Sequence, residues 1–212
     1  MKKLNDFLLG ILGGGAISIG VTAFLSAQSK PVGALLFSVG LFMVCVMGLN
    51  LYTGKVCYLP GQPVSYLGFL AIVWVCNLIG AQLTAMAVRA TRLAPPLIEK
   101  AEELAAAKSG DGLLSLFLLA VLCNVLIFMA VDGYRTNPHQ LGKYLGILFG
   151  VSVFVLCGFE HCVADMYYFA LAEAWSGETF LRLLVITAGN SVGGLLLPVC
   201  FLVRQRSGKA QA

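Results

Sequence analysis

Between Tyr144 and Ala170 the sequence is almost wholly apolar, yet Gly158–Asp165 reads G-F-E-H-C-V-A-D and places Glu160, His161 and Asp165 inside that run. Ionisable side chains at membrane depth are costly and mark functional sites by default. An imidazole, with an unperturbed pKa of about 6.5, exchanges protons in the physiological range. A bare anion crossing an apolar constriction carries a heavy desolvation cost, whereas a neutral weak acid carries far less. The chemistry open to His161 is therefore proton exchange with a small permeating solute. Glu160 suits a structural role, capping or tying loop backbone. Cys157, Glu160, His161 and Cys162 also invite a metal-ligand reading. Zinc sites draw on two ligand pairs at defined spacings, and no second pair is present, so neither metal nor other cofactor is expected.

These residues must be positioned by membrane helices. Of 212 residues, 59% are hydrophobic and only 11% charged, with a mean hydropathy of +0.89, against about 25% charged in soluble domains. Apolar runs of roughly 20 residues span a bilayer, and six occur: Leu8–Leu25, Val32–Tyr52, Tyr66–Val88, Leu113–Val131, Tyr144–Ala170 and Thr179–Val203. Where they meet lipid, all must be helical to satisfy their backbone. The first run has Lys2 and Lys3 before it but no A-x-A-like exit, so it reads as a span and not a cleaved signal.

Six spans put both termini on one side. Lys2, Lys3, Lys55, Arg135, Lys143, Arg204, Arg206 and Lys209 then share that side, and Lys30, Arg89, Arg92, Lys100, Lys108 and Arg182 the other. Eight against six favours cytoplasmic termini in a multi-pass protein of the plasma membrane. The net charge of +4 is spread thinly, which argues against nucleic acid as a partner. The seven cysteines lie in or beside apolar runs without a C-x-x-C pair, as small buried hydrophobes do.

The polar stretch Arg89–Asp111 divides the chain into halves of three spans. Pro95 and Pro96 can open a helix there, and Leu97–Lys108 continues it, acidic early and basic late, as the helix dipole favours. The whole reads as one transmembrane domain: a first repeat at about 7–88, a linker at 89–111, a second repeat at about 112–203, and a short polar tail at 204–212. Setting Gly48 against Gly158 pairs Leu51 with His161, Gly54 with Ala164 and Lys55 with Asp165, and N-L-I-G at Asn77 answers N-S-V-G at Asn190. Three spans per half make this an inverted repeat, which places a substrate site near the midplane at interrupted helices. The second span carries a plausible break at Thr53-Gly54 and the fifth at Gly158–Asp165. Broken helices at depth line protein or a water-filled cavity, and point here to a pore.

At these residues the sequence resembles the formate/nitrite transporter family. Gly158–Met166, "GFEHCVADM", matches the fifth-helix motif, and Tyr52–Lys55, "YTGK", matches the loop that breaks the second helix. Cys123-Asn124 matches a C-N pair in the fourth helix, and Gly189–Gly194 the G-N-x-x-G-G of the sixth. The resemblance implies an all-α, aquaporin-like fold, a homopentamer with one pore per protomer, and passage of a small monovalent anion such as formate, nitrite or hydrosulfide. By motif position His161 faces Thr53, with Asn124 and Asn190 as polar partners, and Lys108 stands at the outer mouth, where it would concentrate anions. The constrictions it implies are Phe37, Leu41 and Tyr52 on one side and Phe154 on the other. Formate is the leading substrate, taken up with a proton: the anion is captured, protonated at or near His161, and passes as the neutral acid.

Typical members end both loop motifs in asparagine, where this chain has Lys55 and Asp165. Because the two positions are equivalent in the repeats, they are expected either to form a compensating ion pair or to leave Lys55 facing the pore. An enzyme is not expected. A water, glycerol or ammonia channel of related shape is the rival class, but no N-P-A pair is present.

Overall fold

A computed structural model describes the backbone of residues 2–209 and the side chains of residues 4–204. The side chains of Lys2, Lys3, Arg206 and Lys209, and most of the polar tail, lie outside the described residues. Nine helices and no strand occur among the described residues. They are α1 (Lys2–Ser26), α2 (Lys30–Met47), α3 (Tyr52–Val56), α4 (Ser65–Arg89), α5 (Ala94–Gly110), α6 (Leu113–Thr136), α7 (Gln140–Cys157), α8 (Cys162–Leu171) and α9 (Gly177–Lys209). Six of them, α1, α2, α4, α6, α7 and α9, are long and apolar enough to cross a membrane. Their outward faces carry exposed Leu, Val and Phe side chains.

The second and fifth spans are each two helices. Met47 and Cys157 are followed by Gly48 and Gly158 at φ +67° and +73°, the left-handed conformation that ends a helix and that glycine adopts without steric penalty. An extended stretch follows, and α3 and α8 restart at Tyr52 and Cys162. The first break thus lies at Gly48–Leu51. Thr53-Gly54, where the sequence suggested it, falls within α3.

The two halves repeat the same contacts. Gly80 of α4 lies against the Ile11 carbonyl of α1, and Gly193 of α9 against the Val121 carbonyl of α6. Gly40 of α2 meets the Ala16 carbonyl, and Gly150 of α7 the Leu126 carbonyl. Small residues at these crossings let helix backbones approach closely, as membrane bundles require.

The linker is more than a surface strap. Ala94, Leu97, Ala101 and Ala105 form one buried face of α5, which packs on α8. Lys100 Nζ donates to the Leu25 carbonyl at 2.5 Å, and Arg182 Nη1 donates to the Lys108 and Asp111 carbonyls at 3.2 and 2.5 Å. The middle and the C-terminal end of α5 are thereby held against the bundle.

A candidate pore between two vestibules

The loops at the two breaks are held by one asparagine each. Asn77 Oδ1 accepts from Tyr52 N–H at 2.8 Å, while its Nδ2 donates to the Gly10 and Asn50 carbonyls at 2.7 and 2.9 Å. Asn190 Oδ1 accepts from Cys162 N–H at 2.9 Å, and its Nδ2 donates to the Ala120 and Glu160 carbonyls at 2.8 and 2.9 Å. Each amide is fully occupied in fixing a broken helix. Asn190 is therefore a loop clamp behind the pore, not the polar pore lining its motif implied. Asn77 plays the same part in the other half; its N-L-I-G setting was the signal that could have assigned that role.

The clamps bring the breaks together. His161, fully buried at the N-cap of α8, accepts from Ala164 N–H through Nδ1 at 3.2 Å, and its Nε2 lies 3.0 Å from Thr53 Oγ1. With Nδ1 accepting, Nε2 carries the proton and donates to Thr53. Imidazole and hydroxyl from opposite halves thus meet, and the imidazole is neutral: a second proton would displace the Ala164 cap. Among the described residues no acceptor takes the Thr53 hydroxyl hydrogen, which is free for a solute. Asn124 Nδ2 donates to the Thr53 carbonyl at 3.1 Å, and its buried Oδ1 has no partner.

Aromatic rings close in on this pair. Phe154 lies parallel to the His161 ring with centroids 5.6 Å apart, and Phe37 meets Phe154 edge-on, also at 5.6 Å. Leu41, one turn further along α2, is buried in the same core. Tyr52 does not join them. Its hydroxyl donates to Ser191 Oγ at 2.9 Å, and its ring turns into a lateral groove with Leu70 and Trp74. The correction has a physical reason: Tyr52 is the first residue of α3 and its ring faces this groove, whereas the buried Leu51, the extended residue that caps α3, lines the cavity described next. Leu51 pairs with His161 in the repeat register but was not singled out as a constriction.

A cavity of about 280 Å³ lies at the His161 end, lined by Phe37, Phe154, His161, Lys108, Glu160 and Asp165 among others. A second, of about 450 Å³, lies at the opposite end of α2, lined by Val44, Gly48, Leu51, Lys55, Tyr66 and Arg135 among others. The pair His161–Thr53 and the rings beside it stand between them.

The first vestibule corrects two expectations. Lys108 Nζ forms ion pairs with Asp165 Oδ1, at 2.9 Å, and with Glu160 Oε2. Asp165 is therefore the partner of Lys108 and not of Lys55. The register read from the sequence pairs Lys55 with Asp165, but Lys55 lines the second cavity and Asp165 the first. Nor is Lys108 a free cation at the mouth, because two carboxylates neutralise it. Burial would lower the Lys108 ammonium pKa, but Asp165 and Glu160 outweigh it and hold it above the usual lysine value. Glu160 ties the loop through both its carbonyl and its carboxylate. Asp165 Oδ2 is buried without a partner.

Six crossing helices around a polar throat with a vestibule at each end define a polytopic membrane protein of channel type. The chain belongs to the formate/nitrite transporter family, whose model, described as "Formate/nitrite transporter", matches residues 1–204. It is 32% identical to a probable formate transporter of Methanothermobacter thermautotrophicus, over 92% of this chain and 85% of that one. It is 28% identical to the nitrite transporter NirC of Escherichia coli strain K12, over 80% and 68%. Among solved structures it resembles a pentameric formate channel with formate bound, with a TM-score of 0.78 and 24% identity over 99% of this chain and 98% of that one. An ion channel of the same family superposes with a TM-score of 0.82 at 24% identity, over 92% and 87%. At such identity the structures speak for the fold.

Proposed function

We propose that the chain passes small monovalent anions, formate foremost, through a pore within each protomer. The observation that carries this reading is the His161–Thr53 contact at 3.0 Å between the two vestibules. A solute reaching it meets a hydroxyl donor backed by an imidazole and walled by Phe37 and Phe154, where a bare anion is poorly solvated. The anion accepts from the Thr53 hydroxyl, which the neutral His161 holds in place, takes up a proton from water of the vestibule it entered by, beside the His161–Thr53 pair, and crosses as the neutral acid. Asn124 Oδ1, buried beside Thr53 with no partner among the described residues, is a further acceptor for a solute proton.

The two halves, related as inverted repeats, make one transmembrane domain of about 7–88 and 112–203 joined by the linker 89–111. The protein is a homopentamer in the plasma membrane with cytoplasmic termini. The pentameric relative and the exposed apolar flanks support the assembly, and the basic-residue balance supports the orientation.

The test is uptake of formate, nitrite, hydrosulfide and lactate by proteoliposomes at about pH 5.5 and 7.5, beside His161→Ala. Formate flux that is selective, faster at low pH and lost in the variant is the expected result. Nitrite or hydrosulfide moving faster would keep the pore and change the substrate. Water or ammonia alone would overturn the function.

A further inference from the structure

The exchange that puts Lys55 and Asp165 where the family pattern has asparagine gives the two vestibules opposite electrostatics. The first is lined by Lys30 and Lys108 against Asp111, Glu160 and Asp165, so acids outnumber bases. The second is lined by Lys55 and Arg135 and by no carboxylate. Among the described residues no acid lies within ion-pair distance of either cation. Asp132 accepts from Tyr58 Oη at 3.3 Å, and Asp6 acts on Lys55 from beyond ion-pair distance. Arg135 rests on the Tyr58 ring, 4.3 Å from its centroid, which braces the guanidinium beside the cavity it lines. Lys55 sits two residues beyond Thr53 on α3, and its carbonyl accepts from Tyr66 Oη at 3.0 Å, so its backbone is tethered where the vestibule narrows toward the throat.

We propose that Lys55 and Arg135 form an anion-binding subsite in the α3-side vestibule, taking a compact monocarboxylate or inorganic monoanion one step before the throat. Resting on the anion-channel reading above, it makes the α3 face the higher-affinity entrance. The geometry fits a single small anion: two cations outside any ion pair among the described residues, one of them braced on a ring, line a cavity of about 450 Å³. The opposite vestibule differs: Lys108 is already shared between Asp165 and Glu160, and its other cation, Lys30, is solvent-exposed and shares the cavity with Asp111 as well. An unpaired charge a few ångströms from a bound anion in a partly wetted site changes its affinity by roughly three- to tenfold.

The experiment compares right-side-out and inverted membrane vesicles from expressing cells and measures the formate concentration that half-saturates flux on each face. The wild-type chain should half-saturate at a roughly three- to tenfold lower concentration on the α3 face, and added chloride should shrink the difference. Lys55→Asn should abolish it, Arg135→Gln should reduce it, and Lys55→Arg should keep it. Unchanged thermal unfolding of Lys55→Asn would exclude a folding defect. Equal half-saturation on both wild-type faces, or a face difference that survives Lys55→Asn, would overturn the subsite while leaving the channel intact. Absence of anion flux in the wild type would overturn the channel reading and the subsite with it.

Discussion

Lys108 Nζ of α5 stands 2.9 Å from Asp165 Oδ1 of α8, so a helix outside the bundle's crossing segments is latched by charge to a half-helix inside it. Glu160 completes the latch from the loop between.

Removing the cation should expose what the latch holds. Lys108→Met leaves two buried carboxylates without their counter-ion and should cost roughly 3–5 kcal/mol; adding Asp165→Asn should recover much of it. Lys55→Asn and Asp165→Asn share no partner and should combine additively within about 0.5 kcal/mol. Thermal or denaturant unfolding in detergent measures both, and coupling between Lys55 and Asp165 would reinstate the pairing suggested by the repeat. The pKa of Lys108 is raised in the folded state. Its stabilisation is therefore complete below the ordinary lysine value of about 10.4 and lost only as pH rises through the folded value. Lys108→Arg should accordingly track the wild type from about pH 6 to 9.

Thr53→Val keeps the shape of the throat but strands the His161 Nε2–H. Loss of a buried hydrogen-bond partner costs about 1–3 kcal/mol, so formate flux should fall by roughly tenfold or more. Stopped-flow uptake would show it. Flux equal to wild type would remove Thr53 from the path.

The constriction makes a sharper test. Leu51→Ala and Phe154→Ala should widen the throat and raise leakage of larger monocarboxylates such as lactate. Tyr52→Phe loses a hydrogen bond to Ser191 in a side groove and should leave selectivity as it was. Relative uptake of lactate and formate separates the two cases, and a selectivity change in Tyr52→Phe would return that residue to the pore.

Glycines divide into two kinds. At Gly48 and Gly158 an added Cβ meets nothing within 4 Å, so alanine suffers only the left-handed backbone, about 1–2 kcal/mol. At Gly80 and Gly193 the Cβ would run into the Ile11 and Val121 carbonyls, and the helices must part. Alanine should therefore lower the unfolding temperature more at Gly80 or Gly193 than at Gly48 or Gly158.

The six crossings were legible because lipid demands long apolar runs, and the family because its motifs stand in order on those runs. His161 and Thr53 were found through the motifs, and they do meet. Asn190 and Tyr52 were misplaced because a motif gives position along the chain but not the direction of a side chain. Asn190 turns back to clamp a loop, and Tyr52, the first residue of α3, faces a lateral groove. The Lys55–Asp165 pair failed for a different reason: a register read between two stretches of sequence relates positions without bringing them together, and the two residues line different cavities. Lys108 as partner could not be read at all, since it lies in the linker and reaches Asp165 only once α5 is docked.

Asn77 and Asn190 each spend all three polar contacts on the backbone that frames the passage. Opening either frame would strand several buried amide and carbonyl groups at once. In the channel proposed above, such a frame would act as a sieve of fixed gauge, and a change of cargo would come from exchanging the side chains around the rim, with the frame left as it stands.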